Sequence, residues 1–498
     1  MPDSIGEEKT WGQLDNLWHY VTDCNLKLIR IGGIAYDEYF TSNYQIISLI
    51  DSIRSIGAEP LIQVSYNDGM YTANQAAQMV NYVNNTMNRN IKYWSIANEP
   101  VLGYSASSDE ISTYFKEFST EMKQTDASIK IVGPDLAWYN ETILNDLIGG
   151  SEDITGTDSY GNYYIDIVSF HAYPFDGTQT KQDVINVYNS YLKPSVENLV
   201  NKITNANSLH SRTGTDSLTW AITEFNINYA NPSQNIEDGL GANSFINGQL
   251  WAETFSLGME FGAEFVCPWS IHESSGNAST YDLGFLSDMP GNIDFRSSYY
   301  HEQLLANNTR NYFANYYSNI AGVKTFGNYN NDSISVVILN MNDQAYNYEV
   351  FHNETSSSAE ELQINTNSLN IQQSFADVID ANCTQLLVFN SNGEIAKKYT
   401  YCLGNDYPVL TEYQITTFAN NNTKQLNIFP NPFKNNINLT LNKSNIVNIY
   451  NNLGVRVFSK NIKSDLHKID LSFLDSGIYI IEVYSDKYKV YRNIIIKK

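Results

Sequence analysis

Tyr93-Trp94-Ser95-Ile96-Ala97-Asn98-Glu99-Pro100 is a short apolar run closed by an amide, an acid and a proline. Proline has no N–H to give to a ladder, so a strand entering this segment stops after the acid. A run that is apolar on successive residues suits a parallel strand covered on both faces. The same design recurs at Leu26–Gly33, Pro60–Tyr66, Lys130–Asp135, Ile165–Pro174, Thr219–Asn226 and Ala263–His272. Longer stretches with helical spacing lie between them, among them Tyr44–Ile56, Ala73–Asn85, Ser108–Gln124 and Gly248–Phe261. Strand–helix alternation across residues 1–311 predicts an α/β fold, a (β/α)8-type TIM barrel.

Seven runs are present, one short of a full barrel. Trp11–Asp23 reads as the helix preceding the Leu26 run, and nothing earlier supplies a first strand. Met1–Glu8 also lacks the basic and apolar regions of a signal peptide. Both gaps point to the same place, and the expectation is a truncated N-terminus. The sheet is then expected to show seven strands, with a gap between the Leu26 run and the Ala263 run.

From Tyr312 the period changes. Ile334–Leu339, Tyr346–Phe351, Glu361–Ile364, Ser374–Val378 and Gln385–Phe389 are short runs joined by polar turns, which predicts a β-sandwich over 312–403. Residues 404–424 are polar and read as a linker. A small all-β module follows over 425–498. Cys383 and Cys402 lie 19 apart in β-rich sequence and can pair, whereas Cys24 and Cys267 read as buried thiols.

The net charge of −24 is uneven. Residues 426–498 carry 11 Lys and Arg against 5 Asp and Glu, a net of +6, which leaves −30 on the remainder. So acidic a body disfavours nucleic acid and anionic membranes as partners. No apolar run approaches the roughly 18 residues of a membrane span. No CxxC, HxH or HExxH occurs and no Lys closes a strand run, so neither a metal site, a cofactor nor a Schiff base is indicated. The 36 tyrosines suit hydroxyl-bearing ligands with an apolar face, such as sugars.

Glu99 and Glu224 each close a strand run, where the loops of such a barrel build the active face. Two carboxyl groups across one sugar linkage are what glycoside hydrolysis requires: one as proton donor, the other as nucleophile or base. Asn98 can hydrogen-bond a sugar hydroxyl. Arg30 can keep a carboxylate ionised. His171 and Tyr173, two apart on one run, point the same way and can reach a carboxylate or a hydroxyl. Trp269 can floor a sugar site. A non-catalytic carbohydrate-binding protein with a decayed barrel is the competing reading; the missing strand favours it and the intact acid pair opposes it.

Residues 11–311 resemble the large clan of retaining glycoside hydrolases built on a TIM barrel. Asn98-Glu99-Pro100 and the strand-ending Glu224 carry the resemblance, which implies Glu99 as acid/base and Glu224 as nucleophile. Arg30-Ile31-Gly32-Gly33 and the following sandwich are similar to the branches that hold β-xylosidases, arabinofuranosidases, endoglycanases and agarases. The C-terminal module resembles the type IX secretion sorting domain of Bacteroidetes, through Asn427-Ile428-Phe429-Pro430-Asn431-Pro432-Phe433, Ile449–Gly454 and Leu474–Tyr479. That resemblance implies export to the cell surface or medium, with the secretion machinery as partner and a polysaccharide or oligosaccharide as substrate.

Overall fold

The computed structural model describes residues 14, 17–38, 43–273, 282–289, 292–353, 362–413, 428–441, 445–451, 455–462, 465–485 and 489–498. The chain divides into two compact units, Met1–Ile415 and Thr416–Lys498.

The first unit contains a parallel sheet of seven strands in chain order. They are β1 (Leu28–Ile31), β2 (Glu59–Val64), β3 (Tyr93–Ile96), β4 (Lys130–Leu136), β5 (Ile167–Ala172), β6 (Thr219–Phe225) and β7 (Phe265–Val266). Helices connect them, among them Ser108–Thr125, capped by a reciprocal Ser107–Glu110 box, and Phe245–Phe261, whose Ser244 accepts from the Asn247 N–H. Such caps satisfy N–H groups that the first helical turn leaves orphaned. Among the described residues β1 and β7 are not paired with one another, and a largely apolar cavity of about 920 Å³ opens beside both. The segment where an earlier strand was sought, residues 1–10, lies outside the described residues.

Inside the sheet each strand gives one residue to a single apolar layer: Leu28, Leu61, Tyr93, Val132, Ile167, Ala221 and Phe265. Side chains alternate along a strand, so the next inward positions lie two residues further on. Five of those seven positions are polar, Arg30, Gln63, Ser95, Ser169 and Thr223, and the other two are Pro134 and Cys267. The apolar layer is thus a floor, and the polar layer above it is the base of the site.

The Ala263–His272 run does not form one strand. Its ladder to β6 continues past Val266 through Cys267 N–H to Ile222 and Trp269 N–H to Phe225, both 2.8 Å. Between them Pro268 has no N–H to contribute, and His272–Glu273 leaves to join a separate three-stranded sheet with Leu286–Met289 and Asn292–Phe295.

Beyond the helix Ser297–Asn308, a six-stranded and a four-stranded sheet form the sandwich. Cys383 and Cys402 face each other across an antiparallel pair and are disulfide-bonded, while Cys24 and Cys267 are free and buried. The predicted linker needs correction. Val409–Glu412 is an edge strand paired with Lys397–Thr400. It is exposed at every position, so nothing in its hydrophobic pattern marks it as a strand. The second unit is a pair of small sheets of three and four strands around Phe433, Ile449 and Ile481.

Candidate active site

Arg30 is the hub. It projects from β1 with its side chain 4 % exposed. Its Nη1 donates to Glu224 Oε1 at 2.5 Å. Its Nη2 faces Asn98 Oδ1 at 2.9 Å, Gln63 Oε1 at 3.0 Å and Asp135 Oδ2 at 3.0 Å. One guanidinium thereby links the ends of β1, β2, β3, β4 and β6. A buried cation is costly unless paired and hydrogen-bonded, and here two carboxylates and two amides surround it. Although burial opposes the charge, Asp135 and Glu224 hold the guanidinium firmly protonated.

Two irregularities aim the acids. Phe170 pairs with Ile222, but the next pair is His171 with Glu224. The extra residue on β6 is a bulge, and bulges re-aim side chains. It lets Thr223 and Glu224 both point inward: the Thr223 hydroxyl donates to Asp135 at 2.7 Å while Glu224 takes Arg30. β4 slips likewise between Gly133 and Leu136, and Asp135 sits there at φ +49°. Just beyond β3, Ala97 and Glu99 adopt φ +64° and +48°. Non-glycine residues seldom hold such angles unless the surroundings impose them. The Glu99 N–H is tied to the Asp135 carbonyl at 2.9 Å, and Pro100 opens a helix directly behind it.

The two glutamates meet at His171. Its Nδ1 lies 2.8 Å from Glu99 Oε1 and 3.5 Å from Glu224 Oε2, and the Tyr173 hydroxyl donates to the same Glu224 oxygen at 2.8 Å. One carboxylate oxygen of each glutamate and a His171 nitrogen all lie within 4.8 Å of one another. Burial works against an imidazolium, but Glu224 and Glu99 outweigh it and move the His171 pKa upward. Burial pushes the Glu224 carboxyl above its ordinary 4.5; His171 and Arg30 pull back, Glu99 adds to the rise, and the Tyr173 bond opposes it. At Asp135 burial also acts upward, yet Arg30, His171 and the Ser169 and Thr223 hydroxyls hold it below its usual value. An acid–His–acid trio is also a metal-ligand pattern. Here Glu224 already accepts from the Arg30 guanidinium and the Tyr173 hydroxyl.

Trp269 is half-buried and lies over Gly33, where a Cβ would enter its indole ring. Gly33 is also at φ +103°, so two separate requirements exclude a side chain there. The indole N–H donates to Glu273 at 3.0 Å, and burial raises the Glu273 carboxyl to about 7.

The structure therefore gathers Arg30, Asn98, Glu99, His171, Tyr173 and Glu224 into one hydrogen-bonded cluster, with Trp269 beside it across Gly33. Sequence reasoning missed Asp135, Gln63, Ser169, Thr223 and Glu273. Asp135 was findable, because it closes a strand run as Glu99 and Glu224 do. The others carry no such mark.

The fold resembles that of several solved structures. One is a family 51 α-L-arabinofuranosidase from Bifidobacterium longum, 11 % identical over 75 % of this chain and 89 % of that one, with a TM-score of 0.53. Another is a family 44 xyloglucanase from Paenibacillus polymyxa, 11 % identical over 74 % and 94 %, at 0.49. A third is a bifunctional glucanase-xylanase from a metagenome library, 14 % identical over 75 % and 94 %, also at 0.49. At this identity the first likeness establishes a shared fold. Residues 427–497 match the secretion system C-terminal sorting domain, in agreement with the motifs that opened that module. No curated protein sequence matches the chain.

Proposed function

We propose that this chain is an exported retaining glycoside hydrolase that cleaves β-glycosidic bonds of a plant or algal polysaccharide, with Glu224 as nucleophile and Glu99 as acid/base. The observation that carries the reading is the placement of the acids: oxygens of Glu99 and Glu224 lie within 4.8 Å of each other. Retaining enzymes hold the pair about 5–5.5 Å apart, whereas inverting enzymes need roughly 6.5–9.5 Å to admit a water. Arg30 and Tyr173 donate to Glu224, which favours the anion that attacks the anomeric carbon. Glu99 is the more accessible of the two, 17 % against 7 % by side chain, as suits a group that protonates a departing sugar and then activates water. Asn98 is tied to Arg30 and available to a sugar hydroxyl, and Trp269 offers a face for stacking. The C-terminal module is read as the address for a type IX secretion system, which places the enzyme at the cell surface or beyond.

Proton NMR of the first product released from an aryl β-glycoside tests the stereochemistry. The β-anomer is expected first, with the α-anomer appearing only by mutarotation. An α-anomer as initial product overturns double displacement.

The pH profile tests the role of Glu224. A carboxyl whose pKa is raised loses its charge while the pH is still above the ordinary value, so the acid limb of kcat/KM is expected above pH 4.5. Tyr173→Phe removes one donor to the anion and is expected to move that limb upward by about one pH unit. A limb below 4.5, or one that Tyr173→Phe leaves in place, contradicts the assignment.

A further inference from the structure

The turn that carries Glu99 presents three successive N–H groups. The Ala97 N–H donates to the Val64 carbonyl at 3.0 Å, and the Glu99 N–H donates to the Asp135 carbonyl at 2.9 Å. Between them the Asn98 N–H meets no backbone carbonyl among the described residues. It faces the carboxylate of Asp37 instead. Of the three acceptors, Asp37 alone is a side chain. Ala97 and Glu99, on either side of that N–H, hold φ +64° and +48°. Residues with a Cβ keep such angles only where several contacts impose them, so the acceptor between the two has a task that an ordinary strand end does not set.

Asp37 is itself firmly placed. It is 3 % exposed and lies on the short helix Ile34–Glu38 that follows β1. Its carboxylate accepts from the Tyr66 N–H at 2.9 Å, and its own carbonyl accepts from the Ser65 hydroxyl. Both donors lie just past the end of β2, the neighbour of β3 in the sheet. Burial pushes the Asp37 carboxyl up to about 6, against the pull of the Tyr66 and Asn67 N–H groups, Arg30 and the Asn98 N–H. Each of those four groups favours the carboxylate form. A buried carboxylate is costly unless donors surround it, and here they come from the ends of three adjacent strands.

We infer that Asp37 is a positioning residue: by holding the Asn98 N–H it fixes the turn that aims the Glu99 carboxyl at the departing oxygen. This rests on the glycosidase reading and deepens it. A general acid works only within hydrogen-bond reach, about 2.6–3.2 Å, and a misplacement of about 1 Å can cost about a hundredfold. The Glu224 carboxylate stands on β6 with its own donors, Arg30 and Tyr173, so loss of Asp37 is expected to impair proton donation far more than nucleophilic attack.

Phenyl, nitrophenyl and dinitrophenyl β-glycosides need progressively less protonation of the departing oxygen, and kcat/KM on the three gives a slope against leaving-group acidity. The wild type is expected to show a shallow slope. Asp37→Ala is expected to steepen it, losing about a hundredfold on the phenyl glycoside and staying within about threefold on the dinitrophenyl one. Asp37→Asn keeps the volume but sets an amide donor among donors, and its slope is expected to lie between. It carries the test alone where the alanine variant fails to fold. The slope does not depend on how much of the protein is folded, so an Asp37 that serves the fold alone lowers all three substrates alike. That result, or wild-type rates in Asp37→Asn, overturns the inference and leaves the hydrolase standing. A wild type inert toward all three aglycones, in the glucosyl, xylosyl and galactosyl series alike, overturns both.

Discussion

Glu224→Ala is expected to lose glycoside hydrolysis by about five orders of magnitude, because without the nucleophile the covalent intermediate cannot form. Alanine does more than remove a nucleophile. It deletes one of two carboxylates on a buried guanidinium, and breaking such a pair costs about 3–5 kcal/mol when the remaining charge is left alone. Here Arg30 keeps Asp135, Asn98 and Gln63, so the cost falls below that range. Glu224→Gln separates the two effects. Its amide oxygen can still accept from Arg30 or from Tyr173, yet it cannot attack an anomeric carbon. Equal losses of activity in the two variants, with a smaller fall in Tm for glutamine, are the expected pattern. Either variant retaining more than about a hundredth of wild-type kcat/KM would remove Glu224 from the nucleophile's place.

How much of this was legible without coordinates differs from element to element, for physical reasons. The parallel strands announce themselves because burial on both faces leaves continuous apolar runs, as in Ile222 and its neighbours. Strand ends announce functional groups because an acid closing such a run needs a reason to be there. What sequence conceals is the bulge. Simple alternation puts Thr223 and Glu224 on opposite faces of β6, and the slip against His171 puts both inside. Asp135 could be picked out as an acid closing a run, but its inward position could not, since that depends on the slip after Gly133 and a left-handed backbone. Gln63 and Ser169 look like ordinary strand residues until the apolar layer beneath them fixes which positions face in. In the sandwich, Val409–Glu412 escapes because an exposed edge strand needs no apolar face. The C-terminal module was the reverse case, as its turn motifs are specific enough to name a domain from sequence.

Glu99→Ala is the sharper test, since its outcome depends on the substrate. Protonation of the leaving oxygen matters only where the departing alcohol is a poor leaving group. On natural glycosides the variant is expected to lose about a thousandfold in kcat/KM, within the range general acid catalysis supplies. On a dinitrophenyl glycoside the first step needs little help and kcat/KM is expected to stay near wild type. The second step still lacks its base, so kcat falls with KM and the glycosyl enzyme accumulates. Azide at high concentration is then expected to restore turnover. It needs no base, and it enters through the space the carboxylate vacated, the more accessible side of the pair. The product should be a glycosyl azide that keeps the substrate's configuration. His171 adds an internal check. Loss of Glu99 removes its 2.8 Å partner and one of the two anions that raise its pKa, so the imidazole loses its proton at lower pH than before. The same loss takes away an anion that raises the Glu224 pKa, so the acid limb measured on the activated substrate should move down. Equal losses on activated and unactivated substrates, with no azide product, would take the acid/base role from Glu99.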